Sequence, residues 1–308
     1  MTRRPQIALL ADGRRLHLQD GPIDLVIEAN GSGTEVSAAY DAAARRFTGL
    51  LDELCVELAE LRQAVVPGRC ALRGVVARRM HAAVTPFARD HFITPMAAVA
   101  GSVAEEILGA MLGATRLDRA FVNNGGDIAL HLADGEKFTV GLLDRPDREG
   151  LMRTFEIKAD DPVRGIATSG RHGRSFSLGI ADAVTVLAKT AAQADAVATV
   201  IANAVDLAGH PAIVRCPANE LQPDSDLGSR LVTRNVGPLG KREIDLALRA
   251  GVKRAQQMLA TGLIEGATLR LLGETAVVGA TGSRAGALPA LHESAMQGVT
   301  HTGAGQAA

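Results

Sequence analysis

Three polar residues interrupt an otherwise apolar stretch. Asp195, Thr199 and Asn203 stand four apart within Ala191–Ala204, among Ala, Val and Ile. On a helix this spacing places them on one stripe. A helix so apolar is expected to be buried, and a buried carboxylate needs a cation, an arginine or several donors. A carboxylate and a hydroxyl are hard oxygen ligands of the kind Mg²⁺ or Ca²⁺ takes. The alternative is internal: Asp195 caps backbone amides or pairs with an Arg, while Thr199 bonds back to its own helix.

Two further segments carry candidate chemistry. Asn123-Asn124-Gly125-Gly126-Asp127 lies between two apolar runs. Paired glycines let backbone approach a ligand, and amide side chains bond a heterocycle edge; the same residues also make an ordinary hairpin turn. Thr168-Ser169-Gly170-Arg171-His172-Gly173-Arg174 follows a strand-like run and presents hydroxyls, glycines and two guanidinium groups. This combination suits an anion such as phosphate, although the Walker pattern is absent. His172 is the candidate acid/base group; a loop histidine also reads as a solvated surface residue. Arg78-Arg79 reads as a solvated helix face. Of Glu105 and Glu106, one is expected to be exposed and the other to be a candidate for the site. Asp224-Ser225-Asp226 reads as a turn.

The elements that must position these groups follow from periodicity. Gln6–Leu10 and Arg14–Gln19 read as a hairpin around Asp12-Gly13, with a third strand at Ile23–Glu28. Helical spacing runs from Val36 to Leu61, from Gly74 to Arg89, and from Thr94, as cap, to about Leu112. Strands are expected at Arg119–Val122, Ile128–Leu132, Phe138–Leu143, Thr154–Lys158, Val163–Thr168, Ala183–Ala188 and Ala212–Val214. Helices are expected at Thr190–Val205 and Arg242–Leu259, and a last hairpin at Thr268–Leu272 and Thr275–Val278. Strands and helices mix without regular βαβ alternation, which points to an α+β fold. The expected organisation is one domain over 1–280 and a disordered Gly/Ala-rich tail over 281–308, where periodicity ceases.

Composition narrows the classes. Among 308 residues there are seven Phe, one Tyr and no Trp, too few rings for a base-stacking platform. A net charge of −1 disfavours a nucleic-acid partner. Cys55, Cys70 and Cys216 form no CxxC pair, so buried reduced thiols are the expectation. The apolar run Ile7–Ala11 is too short for a signal-peptide core, and no run of about 20 apolar residues is evident. A cytoplasmic location without membrane association is expected, and a homodimer is compatible.

In order, Asn124–Asp127, Ala167–Gly170 and Asp195-Ala196-Val197-Ala198-Thr199 resemble the Asn-x-Gly-Gly-Asp, Ala-Thr-Ser-Gly and Asp-Ala-x-x-Thr motifs of the ApbE-like superfamily, whose best-known members are FAD:protein FMN transferases. The N-terminal Gly13–Leu18 and Gly21–Leu25 resemble an uncharacterised branch of it. The resemblance implies an ApbE-like, T-fold-like arrangement of mixed sheets covered by helices, with a ligand cleft between the layers. It implies that Asp195 and Thr199 ligate Mg²⁺. Asn123, Asn124, Gly125, Gly126, Asp127, Thr168, Ser169 and Gly170 would line a site for FAD or FMN, with Arg171 and Arg174 toward phosphate. The sequence departs from the transferases in having no Lys in Thr94–Gly101 and no Asp-Pro-x-Thr-Gly stretch after Gly170. The implied function is binding of a phosphorylated heterocycle with a divalent metal, and FMN transfer where chemistry is retained. The alternatives are a non-catalytic flavin- or nucleotide-binding protein and a pterin-type cofactor biosynthesis enzyme.

Overall fold

The computed structural model describes residues 5–145 and 148–279, with side chains described outside 142–153; the tail expected over 281–308 lies outside the described residues. The chain opens with three antiparallel strands, β1 (Gln6–Leu9), β2 (Leu16–Asp20) and β3 (Ile23–Asn30). Ile7 stands opposite Leu18, and Leu16 opposite Ile27, as the alternating apolar pattern requires. The expected helix from Val36 to Leu61 is divided into α1 (Gly33–Phe47), α2 (Leu50–Val56) and α3 (Leu58–Leu61). Gly49, at φ 84°, turns the chain between the first two. α4 (Val75–Val84) ends earlier than expected because Thr85–Phe87, with Pro86, tightens into a 3-10 turn. A second such turn, Pro95–Ala98, leads into α5 (Val99–Ala114). Thr94 is not a side-chain cap there: its hydroxyl donates to the Asp226 carboxylate at 2.5 Å.

The middle of the chain forms β4 (Arg119–Asn124), β5 (Asp127–Leu132), β6 (Lys137–Arg145), β7 (Arg148–Lys158), β8 (Gly165–Ser169) and β9 (Ala183–Ala188). α6 (Ala191–Ala204) follows, with the Thr190 hydroxyl accepting from the Gln193 amide. Then come β10 (Ile213–Pro217), α7 (Ala218–Leu221), β11 (Leu231–Val236), α8 (Lys241–Ala260), β12 (Gly266–Leu271) and β13 (Glu274–Gly279). α7 and β11 were not anticipated from sequence.

Nine strands form one antiparallel sheet in the order β1-β2-β3-β4-β5-β8-β9-β12-β13. Beyond β1 it consists of two halves of the same plan: hairpin, helical connection, hairpin. β5 and β8 join the halves through only two residue pairs, Ile128 with Ile166 and Ala129 with Gly165. α5 packs over β4 and β5, α6 over β8 and β9, and α8 over β12 and β13. The main core lies between this helix layer and the sheet. On the other face, the β6–β7 hairpin covers a second core of Leu130, Leu132, Ile157, Val163, Ile166 and Leu187. Phe121 and Phe138 meet there edge to face at 6.1 Å. The architecture is α+β.

Two glycines bring the first turn of α6 close to its neighbours. A Cβ on Gly101 of α5 would collide with the Ala191 carbonyl, and one on Gly165 of β8 with the Thr190 backbone. The first turn of α6 therefore touches both α5 and β8 at backbone distance. One helical stretch, Pro95–Ala114, is long and apolar enough to cross a membrane by length and composition, where none was evident from sequence. Its apolar side chains, including Val103, Ile107 and Met111, are buried in the main core. All three cysteines are free, as expected, but they are not buried: Cys55 and Cys70 are exposed and Cys216 is half-buried.

Candidate functional site

The three motifs converge on the seam between the halves. Gly125 and Gly126, at φ 66° and 113°, turn β4 into β5, and the Gly126 amide donates to the Asn123 side-chain oxygen at 2.8 Å. The turn is thus an ordinary hairpin turn in form. Asn124 and Asp127 stand opposite each other in the ladder, and so share the face that carries the helices. Asn123, one residue earlier, points to the other face. Asn124 is buried and its amide donates to the Ala100 carbonyl at 3.2 Å. Asp127 accepts from the Thr168 amide at 3.1 Å, which links the first motif to the second.

Asp195 approaches from α6. Its carboxylate accepts from the Gly101 amide at 3.0 Å, and the Ala100 amide also bonds it. Helix α5 begins there, so its unpaired amides and positive end face the carboxylate. Even so, burial and then the nearby negative charge of Asp127 push Asp195 well above the ordinary carboxylate value. Burial likewise pushes Asp127 up to about 7 against the weaker opposing effect of the Thr168 amide. Neither carboxylate has a cationic side-chain partner among the described residues. Of the two internal roles open to Asp195, capping of amides is therefore present and pairing with an arginine is not. Thr199 lies one turn further along α6 and is half-buried. Asn203, the last of the stripe, serves elsewhere: its side-chain oxygen accepts from the Leu178 amide at 3.1 Å.

The loop after β8 divides its residues between two tasks. The Thr168 hydroxyl meets that of Thr185 at 2.9 Å, and Ser169 ends the strand. Gly170 rests against the Asp182 backbone, where a Cβ would come within 2.5 Å of the carbonyl oxygen. Arg171 is largely buried and is held by Asp182, Nε to Oδ1 at 2.8 Å. His172 Nε2 lies 3.4 Å from the same oxygen. Asp182 also accepts from the Leu272 amide at 2.5 Å, so this carboxylate fastens the loop to the β12–β13 turn. Arg174 is exposed and lies over Gly125, with a guanidinium nitrogen 3.6 Å from Asp24. Asp24 in turn meets His17 at 2.8 Å.

Sequence reasoning missed Asp182 and misread Arg79, Glu105 and Glu106. Arg79 is not a solvated face: it bonds the Ser102 carbonyl at 3.0 Å and pairs with Glu105 and Glu106 at 3.2 and 2.9 Å. Neither glutamate is exposed. Glu106 also takes Arg46 at 2.7 Å, and Glu105 accepts from the Ala192 amide at 2.7 Å. The local spacing of these charges gives no sign of partners on three different helices.

The fold and seam define an antiparallel α+β protein with two neighbouring buried carboxyl groups, one of them, Asp195, at the start of a helix. The chain belongs to the family described as AbpE bacteria, which matches residues 7–277. It is 36% identical over 184 residues to the UPF0280 protein MK0206 of Methanopyrus kandleri, covering 58% of this chain and 69% of that one. It is 40% identical over 112 residues to a UPF0280 protein of Methanobrevibacter smithii, covering 36% of this chain and 46% of that one. The chain thus spans about half the length of several curated relatives it matches. The crystal structure of Pseudomonas stutzeri flavinyl transferase ApbE, in its apo form, is similar over 90% of this chain and 95% of that one, at 11% identity and a TM-score of 0.46.

Proposed function

We propose that this protein binds a phosphorylated heterocycle, a flavin nucleotide or a close relative, together with a divalent cation at the seam. The observation that carries the reading is the pair of carboxylates, Asp127 and Asp195, brought together with no side-chain cation to neutralise them. No group of three or more His, Cys, Asp or Glu side chains within reach of one ion occurs among the described residues. That donor set suits Mg²⁺, which is commonly held by one or two carboxylates and completes its shell with phosphate oxygens and water. Asp195 and Thr199 would hold the ion, with Asp127 beside them. When bound, the ion would neutralise phosphate charge on the ligand.

The chain's own groups would then orient the ligand. Gly126 leaves room for a ring or ribose beside the turn, and the exposed Arg174, lying over Gly125, offers a phosphate contact at its rim. Arg171 is already satisfied by Asp182, so Arg174 carries the phosphate role. His172 shares the same carboxylate, its Nε2 3.4 Å from Asp182. That engagement favours the binding-only reading over FMN transfer.

Two measurements test this. Thermal stabilisation by Mg²⁺ or Mn²⁺ should be lost in Asp195→Ala; unchanged stabilisation refutes the cation site. The purified protein, given FAD and Mg²⁺, should bind flavin and leave it intact. Release of AMP with a protein acceptor would instead establish transfer, and absence of any flavin binding would remove the ligand class.

A further inference from the structure

The helix layer contains an ion-pair network that ends at the seam. Arg46 holds Glu53 through two bonds, at 3.0 and 2.9 Å, and Glu106 through a third. Arg79 holds Glu106 and Glu105 and bonds the Ser102 carbonyl. Glu105 then accepts the Ala192 amide of α6. The network therefore ties α1, α2, α4 and α5 together, and Glu105 carries it to α6. Ala192 is three residues before Asp195, and Ser102 is next to Gly101, whose amide bonds Asp195. Both ends of the Asp195–Gly101 contact are thus fixed through the same arginine.

We propose that Glu105, oriented by Arg79, is a positioning residue for the seam carboxylate Asp195. Glu105 satisfies an amide that α6 leaves unpaired in its first turn and sets the height of α6 against α5. Gly101 removes the side chain that would keep the two helices apart. Asp195 then reaches the amides of α5 without bending its own helix. Glu106 shares Arg79 but contacts nothing on α6, so it supports the helix layer without governing Asp195. This role for Glu105 deepens the cation reading and rests on it for its functional consequence.

The test compares Glu105→Ala, Glu105→Gln and Glu106→Ala in the full chain. Two readouts are taken: Mn²⁺ affinity by calorimetry, and amide hydrogen exchange at Gly101 by NMR. Partners that orient a ligand without touching the metal are commonly worth 10–100-fold in affinity. Glu105→Ala should weaken Mn²⁺ binding by about tenfold or more and speed exchange at Gly101. Glu105→Gln keeps an acceptor for Ala192 and should recover most of both. Glu106→Ala should lower the melting temperature at least as much, yet leave both readouts near wild type. If the two alanine variants change affinity and exchange alike, in proportion to lost stability, the positioning role is overturned. If the wild type takes up no Mn²⁺, the cation reading falls, and exchange at Gly101 alone decides the role of Glu105: unchanged exchange in Glu105→Ala overturns it.

Discussion

The two halves of the sheet share a plan and fill it differently. In the first, the hairpins β2–β3 and β4–β5 flank α1 and α5, and α5 meets the sheet with Val103, Ile107, Leu108 and Met111. In the second, β8–β9 and β12–β13 flank α6 and α8, and α6 buries six alanines beside Val197, Val200 and Ile201. Large side chains stand among the buried residues of α5. Small ones let α6 come down onto β8 and against α5. The division has a consequence at the seam. The first half offers a tight turn and a helix start; the second delivers a carboxylate to them. A bulkier α6 would leave Asp195 short of the α5 amides.

The largest expected effect breaks this close approach. Gly101→Ala and Gly165→Ala each put a methyl group into backbone of the α6 first turn, where no flexible side chain can yield. Overpacking of this kind costs about 1–3 kcal/mol, at times more, and the upper end is expected. Gly109→Ala, in the same helix with open space around it, should instead gain up to about 1 kcal/mol by helix propensity. Urea melts measure all three. Equal effects at Gly101 and Gly109 would mean that the halves are not in backbone contact.

The next effect separates the seam from the helix network by pH. Asp127 and Asp195 have native values above the ordinary one for Asp. The folded state thus keeps their protons longer than the unfolded chain does. Their contribution is fully present below the unfolded value of 3.8; that of Asp127 is lost as pH rises through about 7, and that of Asp195 as pH rises through its own raised value. Glu106 has the opposite sign. Burial pushes it up, but hydrogen bonds and charges from Arg46 and Arg79 outweigh that and hold it below 4.5. Its contribution is present above the unfolded value and is lost as pH falls through the native one. Stability against pH in chelator should therefore decline on both sides of a maximum. Asp127→Asn should flatten the neutral limb and Glu106→Gln the acid limb. A neutral limb that survives both Asp127→Asn and Asp195→Asn would place its origin outside the seam.

Much of this was legible in sequence because local pattern and tertiary outcome agree. β2 and β3 alternate apolar and polar residues, and the structure buries that face. The alanine run announces α6 within a residue of each end. The division at Gly49 was missed because apolar spacing continues across it, and one left-handed residue redirects the chain without altering composition. β11 was missed because it pairs only with β10, in a two-stranded sheet separate from the main one, and its burial pattern does not alternate. At the site, the residues of the three motifs could be named, but not which of them face each other. Asn123 and Asn124 are adjacent in sequence and lie on opposite faces of the sheet. Arg79 acts through partners on another helix, and Asp182 joins Arg171 of its own loop to Leu272, ninety residues on; no spacing reports such pairings.

The smallest effect sharpens the comparison at the first helix of each half. Ser32 caps α1, with Glu35 returning a bond to its amide; Thr190 caps α6. Removing either hydroxyl should cost about 1 kcal/mol, so Ser32→Ala and Thr190→Ala should shift the urea midpoint alike. Their effects should diverge at the seam. Ser32 begins a helix at the periphery, whereas Thr190 lies against Gly165 and three residues before the amide it caps, in the turn that carries Asp195. Mn²⁺ affinity should therefore fall in Thr190→Ala and stay unchanged in Ser32→Ala at matched loss of stability. Equal affinities would show that the first turn of α6 is held by Glu105 and the backbone contacts alone.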